Sequence, residues 1–189
     1  MNQQAAQWLL DYCYEYAASS LCQKRQFGAV IVPKWVLDSR WNSSTDLHKE
    51  ILARGANQSY DWAPCEPCLR VDVPSGTKQE LCRAVHAEQV ALIDLLTSYP
   101  SYPLNLSIAV NGREGSKRIY KGKPGFYCTT CARLLAWVGI MSVVVLTKDG
   151  PAELTMQEAL DSAYGVAKGA DADTHTFHEM YQGPGSSSW

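Results

Sequence analysis

Long apolar runs are missing from the 189-residue sequence, and so is an excess of basic residues. No stretch approaches the roughly 18 consecutive apolar residues of a membrane-spanning helix, and the start, Met1 to Gln4, lacks the features of a signal peptide. We therefore expect a cytoplasmic protein with no membrane partner. Lys and Arg total 17 against 19 Asp and Glu, a formal net charge of −2. Because domains that bind nucleic acid along a surface are usually basic, a small-molecule partner is favoured over a nucleic acid polymer.

Length and composition are those of one globular domain. Apolar residues make up 46% of the chain and charged residues 19%, ordinary values for a globular protein. A chain of 189 residues can bury one sizeable core but is short for two domains. We expect a single domain over residues 1–167, with insertions near residues 33–49 and 111–126. Residues 168–189 include a run of glycine, proline and serine and are predicted to form a flexible C-terminal tail.

Seven cysteines in a cytoplasmic chain indicate metal binding rather than disulfide bonds. His86 and Glu88 lie two residues apart, and the pair Cys128 and Cys131 follows later in the chain as Cys-x-x-Cys. One histidine and two cysteines give a zinc ion three protein ligands and leave the fourth position open to water. The order H-x-E and then C-x-x-C is the signature of zinc-dependent deaminases.

The chemistry of deamination explains why these residue types occur together. Bound zinc lowers the pKa of water from about 16 to about 7, which makes hydroxide available at neutral pH for attack on an amino-bearing ring carbon. A carboxyl group must then move protons to the ring nitrogen and the departing amine. The sequence therefore predicts His86, Cys128 and Cys131 as zinc ligands and Glu88 as the catalytic proton shuttle.

The spacing of the two cysteines is consistent with both binding one metal from a helix, whereas the spacing of the histidine and the glutamate is not. Cys128 and Cys131 lie at the start of a helical pattern over residues 129–138, so both can share one face, and a helix N-terminus favours thiolates. His86 and Glu88 would diverge on a regular helix, so we expect them in the first turn of a helix over residues 83–97. The alternative is a redox pair of cysteines, with His86 and Glu88 on a solvated face.

A second group of cysteines surrounds a long loop predicted over residues 57–81. Cys65 and Cys68 form another Cys-x-x-Cys pair, Cys82 follows the loop, and Cys22 lies beyond the first helix. Together they would provide a tetrahedral, all-cysteine structural zinc site, which would hold a loop longer than compact domains usually contain. The alternative is that these four are reduced, partly buried thiols. Cys13, within a helix, is expected in the core.

Hydrophobic periodicity predicts alternating helices and strands. Helices are predicted over residues 3–19, 83–97, 129–138 and 153–167, and strands over residues 27–32, 50–56, 106–110 and 141–146. Residues 33–49 are predicted to form a protruding hairpin or loop. On the helix over residues 83–97 we expect the following side chains to be largely buried: Val90, Leu92, Ile93, Leu95 and Leu96. This alternation predicts a three-layer α/β/α sandwich around a mixed sheet of roughly five strands.

Residues 65–92 resemble the deoxycytidylate (dCMP) deaminase family of the cytidine deaminase-like superfamily. The similarity rests on residues 68–70, 74–76 and 80–89, and extends to residues 27–32, 51–57, 128–133 and 139–140. The resemblance implies a cytidine deaminase-like fold, homo-oligomers, and zinc-dependent hydrolysis of dCMP to dUMP and ammonia, often under allosteric control by nucleoside triphosphates. It also implies that Asn57 contacts the substrate sugar or base, and that the second, structural zinc of some members is held by Cys22, Cys65, Cys68 and Cys82.

Three departures from the family pattern lie near the expected substrate pocket. Tyr127 stands where the family usually has proline, Val90 replaces a usual asparagine, and residues 147–149 lack the expected aromatic side chains. Because these changes leave the zinc chemistry intact, the sequence predicts a zinc hydrolase acting on an amino-heterocycle or nucleotide. The first candidate substrate is dCMP, the second is another amino-substituted heterocycle, and the third hypothesis is a non-catalytic, zinc-stabilised or redox binding module.

A basic segment follows the third predicted strand. Its lysines and arginine are candidates for contact with a substrate phosphate, Tyr120 could stack on a base, and Arg25 is a further candidate; the alternative is a solvated charged face. The basic residues are Lys117, Arg118, Lys121 and Lys123.

Overall fold

The structure is a computed structural model that describes residues 1–59, 61, 63–73, 81–99, 101, 105–121 and 125–167. The tail predicted over residues 168–189 lies outside the described residues, as do Lys123 and residues 74–80 of the long loop. Among the helices of the described part, none is long and apolar enough to cross a membrane.

Helices and strands alternate along the described chain. The helices are α1 (Gln3–Tyr16), α2 (Trp35–Asp38), α3 (Ser44–His48), α4 (Ala87–Ser98), α5 (Thr129–Val138) and α6 (Met156–Ala167), with a 3₁₀ turn at Ala17–Ser19. The strands are β1 (Gln26–Pro33), β2 (Ala53–Ala56), β3 (Gln58–Ser59), β4 (Ala84–Val85), β5 (Leu106–Glu114), β6 (Lys117–Arg118), β7 (Ile140–Thr147) and β8 (Gly150–Thr155).

Six of these strands form one mixed sheet. Its order is β2-β1-β5-β7-β8, with the short β6 paired to β5 beside this path. The β5 and β7 strands are parallel, joined by the crossover that contains α5, and the other pairs are antiparallel. The short strands β3 and β4 form a separate two-stranded sheet, and β4 lies just before α4 in the chain.

Helices cover both faces of the sheet, because successive side chains of a strand point to opposite sides. In β1, Val30 and Val32 pack in a core with α1, α2 and α3, whereas Ala29 and Ile31 pack in a second core with α4, α5 and α6. The predicted α/β/α sandwich around a mixed sheet is therefore confirmed. The second core contains side chains of α4 and α5, the two helices whose N-terminal ends carry the predicted zinc ligands.

The prediction of a protruding hairpin or loop over residues 33–49 is wrong. This segment contains α2 and α3, and Val36, Leu37 and Leu47 are fully buried in the core under α1. The amide of Asp46 donates to the Ser43 hydroxyl at 3.2 Å, which caps α3. The burial of three apolar side chains outweighs the local polarity that indicated a loop.

The predicted helix over residues 153–167 begins later, because residues 150–155 form β8. Val143 of β7 pairs with Leu154 of β8. Pairing with β7, rather than the strand propensity of residues 150–155, therefore makes this segment a strand. Helix α6 then begins in a capping box, in which Thr155 N–H donates to Glu158 Oε2 at 2.7 Å and Glu158 N–H donates to Thr155 Oγ1 at 3.3 Å. Strand β5 also continues past the predicted end at residue 110, to Glu114.

Candidate metal centre

Three of the predicted site residues converge at the N-terminal ends of α4 and α5. The ligand atoms of His86, Cys128 and Cys131 all lie within 4.8 Å of one another. The Sγ of Cys131 is 3.3 Å from Nδ1 of His86 and 2.8 Å from Sγ of Cys128. In the part of the chain that the structure describes, this is the single group of at least three histidine, cysteine or carboxylate side chains close enough to share an ion. Imidazole and thiolate ligands suit zinc.

The first ligand of each helix occupies the N-cap position. Cys128 precedes α5, and its Sγ accepts a hydrogen bond from the amide of Cys131 at 3.2 Å. His86 precedes α4 with an extended backbone, and its amide donates to Oε1 of Gln89 at 2.9 Å. Anionic ligands are favoured there by the unpaired amide groups and the positive end of each helix dipole.

The expectation that His86 lies in the first turn of a helix is wrong. Residues 84–85 form β4, and α4 begins at Ala87, so His86 stands just outside the helix and Glu88 within its first turn. The change from extended to helical backbone between them removes the divergence that a continuous helix would impose. The alternative with Glu88 on a solvated face is also wrong, since the Glu88 side chain is only 8% exposed.

A glycine fixes the position of α4 on the sheet. A Cβ atom at Gly55 of β2 would overlap the carbonyl oxygen of Ala87 and the amide nitrogen of Ala91. The helix that carries Glu88 therefore rests directly on the backbone of β2, a close approach that glycine permits.

Hydrogen bonds among the three candidate ligands shift their pKa values in different directions. A hydrogen bond with Cys131 lowers the pKa of the Cys128 thiol to about 4, and the same hydrogen bond raises the pKa of Cys131. Burial lowers the pKa of His86, but hydrogen bonds with Cys128 and Cys82, together with the charge of Glu88, raise it to about 11. Because cysteine and histidine bind a metal only after losing their protons, the metal affinity of this site depends on pH.

Burial dominates the electrostatics of Glu88. Removal from water raises the pKa of its carboxyl group, and the positive charges of His86 and Lys121 act in the opposite direction. A raised pKa suits a carboxyl group that accepts a proton and later returns it near neutral pH.

Lys121, whose positive charge acts on Glu88, contacts Tyr127. Nζ of Lys121 lies 3.9 Å from the centroid of the Tyr127 ring, a cation–π contact. The backbone of Lys121 is fixed against β7, where its amide donates to the carbonyl of Leu146 at 3.0 Å. The sequence contained both residues, one as a basic candidate and the other as a departure from the family, but no local pattern predicts their pairing.

The Asn57 side chain makes three hydrogen bonds within the protein. Its Oδ1 accepts hydrogen bonds from the amide of Phe27 at 2.6 Å and the hydroxyl of Ser20 at 2.8 Å, and its Nδ2 donates to the carbonyl of Arg25 at 2.9 Å. These contacts join the end of β2 to the start of β1. The substrate contact of Asn57 stays a prediction.

The four cysteines of the predicted second zinc site do not form a group close enough to share an ion in the described part of the chain, although Cys22, Cys68 and Cys82 lie near enough to Cys65 to affect its pKa. Gln23 donates to Oε1 of Glu66 at 2.8 Å, which brings the segment after Cys22 against the loop that contains Cys65 and Cys68. Burial raises the pKa of Cys65, with smaller contributions from its three partner cysteines. Cys82 is also linked to the candidate metal centre, since a hydrogen bond with His86 lowers its pKa to about 7. The second zinc stays a prediction, and Cys13 lies in the core as expected.

The basic candidates for phosphate contact come together from distant parts of the sequence. Arg25, Lys117, Arg118 and Tyr120 line one cleft of about 660 Å³, which Glu114 also lines. Two carboxylates orient its arginines: Nε of Arg25 lies 3.1 Å from Glu114, and Arg118 pairs with Asp11 while its guanidinium carbon lies 4.3 Å from the centroid of the Tyr14 ring. Phosphate binding in this cleft stays a prediction.

Scans against protein-family models and curated proteins give no match for the chain. Among solved structures, the chain is similar to the apo form of a dCMP deaminase from the cyanophage S-TIM5, at 18% identity and a TM-score of 0.46, covering 79% of this chain and 89% of that one. It is also similar to a cytidine deaminase from Burkholderia pseudomallei, at 16% identity and a TM-score of 0.44, covering 82% of this chain and 94% of that one.

Proposed function

We propose that this protein is a zinc-dependent hydrolytic deaminase of an amino-substituted heterocycle, with dCMP as the first candidate substrate. The observation that carries the proposal is the convergence of one imidazole and two cysteine sulfurs beside the buried carboxyl group of Glu88. Purely structural zinc sites have four protein ligands, whereas three protein ligands leave a position for water. A structural site also has no use for an adjacent buried carboxylate.

In this proposal His86, Cys128 and Cys131 hold the metal and Glu88 moves protons. Zinc bound there would lower the pKa of water to about 7 and so supply the nucleophile at neutral pH. As the water oxygen bonds to the ring carbon, Glu88 would accept the first water proton and deliver it to the ring nitrogen; it would then take the remaining hydroxyl proton to the amine, which leaves as ammonia when the C–N bond breaks and the carbonyl forms. Its position in the first turn of α4 keeps the carboxyl group beside the ligands, and its burial keeps bulk water from taking the proton.

We assign the phosphate of a nucleotide substrate to the cleft between Arg25 and the β6 region. Support comes from its two arginines, which neighbouring carboxylates hold in place, and from Lys117 at the same cleft. Oriented guanidinium groups suit phosphate oxygens because several N–H donors can bond at once. Tyr120 of this cleft is followed in the chain by Lys121, and the positive charge of Lys121 acts to lower the pKa of Glu88.

The second candidate function is deamination of another amino-heterocycle. The contact between Lys121 and Tyr127 favours it, because this contact lies next to Cys128 at a position where the resembling family usually has proline. A positive charge held there would select substrates by the charge on or near the ring. The third hypothesis, a non-catalytic module, predicts bound zinc without turnover.

The proposal has two further parts. One is a cytoplasmic location, and the other is a structural zinc held by four cysteines, Cys22, Cys65, Cys68 and Cys82. The contact between Gln23 and Glu66 supports the zinc, because it holds the segment after Cys22 against the cysteine loop. None of the seven cysteines forms a disulfide bond, as expected in a reducing compartment.

The experiment is a substrate panel on zinc-loaded protein. The panel contains dCMP, CMP, deoxycytidine, cytidine and amino-purine nucleotides, with turnover followed by ammonia release and ultraviolet spectra and zinc measured on the same sample. Rapid dCMP turnover supports the first candidate. Zinc without turnover on these compounds points to another heterocycle, and zinc-free protein as purified from zinc-supplemented cells would contradict the proposal.

A further inference from the structure

Lys121 lies where two parallel strands of the sheet separate at their carboxyl ends. Strands β5 and β7 pair as far as Val110 and Val145, and beyond that point β5 continues beside β1 and β6. The backbone of Lys121 then takes the place beside β7. Its amide donates to the carbonyl of Leu146 at 3.0 Å, and its carbonyl accepts from the amide of Lys148 at 3.1 Å. Ligands of open α/β sheets bind outside the carboxyl ends of the strands.

The candidate metal centre lies at the same end of these strands. Helix α5 ends at Val138, and β7 begins almost at once, at Ile140. The helix therefore runs back along the sheet, and its N-terminal end lies toward the carboxyl ends of β5 and β7. Cys128 caps that end of the helix. Lys121 is thus anchored at the edge of the sheet where the candidate metal ligands converge.

The ammonium group of Lys121 rests on the aromatic ring that precedes the first cysteine ligand in the chain. Its Nζ lies 3.9 Å from the centroid of the Tyr127 ring. The ring itself is confined, because a Cβ atom at Gly125 would lie 2.5 Å from one of its carbon atoms. Phe126 is buried, and its amide donates to the hydroxyl of Ser162 in α6 at 2.8 Å. The positive charge is therefore held in place from both sides of the contact.

Lys121 and the basic cleft belong to different helical layers. Arg118 of the cleft pairs with Asp11 of α1, and α1 packs in the first core. Lys121 instead contacts Tyr127, which leads into α5, and its charge also acts on Glu88 of α4. Both of these helices pack in the second core. The two sets of positive charges therefore suit different groups of a substrate.

We propose that Lys121 is a specificity-determining residue that contacts an anionic substituent on the reacting heterocycle, of which a ring carboxylate is the simplest. The inference rests on the proposed deaminase function and deepens its second candidate. Hydrolysis at the metal centre requires the reacting carbon to lie beside the three candidate ligands, so groups on the ring are the ones near Lys121. The phosphate of a nucleotide is separated from the ring by the sugar.

The energetics favour this contact. An ammonium group and a carboxylate form a charge-assisted hydrogen bond, which is stronger than a hydrogen bond between neutral groups. A lysine side chain usually loses much freedom when it binds a ligand, and part of that loss has already been met where the ammonium group is held on a ring. Lys121 should therefore favour a charged ring over a neutral ring of the same shape.

The test is calorimetric binding of three product-like ligands to the zinc-loaded protein, because binding does not require turnover. The ligands are deoxyuridine, its 5-carboxy derivative and dUMP, which are neutral, charged on the ring and charged at the phosphate. We expect the 5-carboxy derivative to bind about 10-fold or more tightly than deoxyuridine, the effect of a hydrogen bond to a charged group. Lys121→Met should lose this preference without weakening deoxyuridine, and Lys121→Arg should keep it.

Lys148→Met is the matched control, because it removes the same charge from an exposed side chain next to Lys121. It should keep the preference. Circular dichroism and zinc content verify that each variant is folded. Turnover of 5-carboxydeoxycytidine and deoxycytidine is measured separately. If neither is turned over but Lys121→Met abolishes the binding preference, the deaminase proposal fails and the contact with the ring substituent stands.

Four results would overturn the role of Lys121. The first is a wild-type protein that binds the 5-carboxy derivative no more tightly than deoxyuridine. The second is a preference that survives in Lys121→Met, and the third is an equal loss of affinity for all three ligands in that variant. The fourth is a preference for dUMP alone that Lys121→Met removes, since the ammonium group would then serve the phosphate.

Discussion

Glutamine in place of Glu88 keeps the size of the side chain but removes its ability to accept a proton. Glu88 is buried and is not one of the three side chains whose ligand atoms converge. The substitution therefore separates proton transfer from metal binding. If the proposed roles are correct, Glu88→Gln retains its zinc and loses its turnover.

The expected loss follows from the number of protons that Glu88 moves. A positioned general acid or base contributes about 10²–10⁴-fold to a rate, and the proposed reaction uses this carboxyl group in both roles. We expect kcat to fall by about 10³-fold or more, equivalent to about 4 kcal/mol of transition-state stabilisation, with little change in KM. The measurement is steady-state ammonia release on the best substrate of the panel, with zinc determined on the same sample.

The same substitution should stabilise the metal-free protein in a pH-dependent way. Burial raises the pKa of Glu88 above its ordinary value of 4.5, so the folded state holds a proton that the unfolded state releases above that pH. The free energy of unfolding of the wild-type chain therefore falls as pH rises from 4.5 through the raised pKa. Each unit of pKa shift corresponds to about 1.4 kcal/mol. Glutamine has no such dependence, so its advantage should be absent at pH 4 and present at pH 7.

Thermal unfolding after chelation under reducing conditions measures this advantage, at about 2–4 °C per kcal/mol for a chain of this size. The matched control is Glu15→Gln, the same chemical change on the exposed side of α1, which should leave turnover, zinc and unfolding temperature unchanged. Near-normal turnover of Glu88→Gln would refute Glu88 as the proton shuttle. Loss of zinc would refute its separation from the ligands, and equal unfolding temperatures at pH 7 would refute the effect of burial on its pKa.

Three further substitutions test the scaffold. Gly55→Ala should lower stability by about 1–3 kcal/mol and weaken zinc affinity, because a Cβ there overlaps α4. Its control is Gly28→Ala, whose Cβ overlaps α1 instead and which should lower stability without affecting zinc affinity. Equal loss of zinc in both variants would contradict the reasoning. Cys65→Ser should reduce zinc from two ions per chain to one, and unchanged stoichiometry would remove the second site. Thr155→Ala should cost about 0.5–2 kcal/mol in denaturant unfolding through the lost cap of α6, and Thr97→Ala, with an exposed hydroxyl on α4, is its control.

Both ends of the α5 helix were predicted correctly, because residues next to those ends determine where the helix begins and stops. Cys128 caps its first turn, and Gly139 ends it in a left-handed conformation that glycine adopts at little cost. The start of α4 was missed by four residues, since nothing within residues 83–86 indicates that β4 pairs with β3. The capping box of Thr155 and Glu158 was a local signal for the start of α6 that the periodicity of residues 153–167 concealed.

The sequence by itself predicted that His86, Cys128 and Cys131 lie together. It also predicted the alternation of helices and strands, and hence the α/β/α class, because residue type, capping and hydrophobic period act over a few positions. Only the tertiary structure decided that β8 is a strand, that residues 33–49 cover a core, and that Lys121 contacts Tyr127. It also decided that Ile93 and Leu96, which were predicted to be buried, face solvent. Each of these depends on which distant segment becomes a neighbour, and that is set by the packing of the whole sheet and its helices.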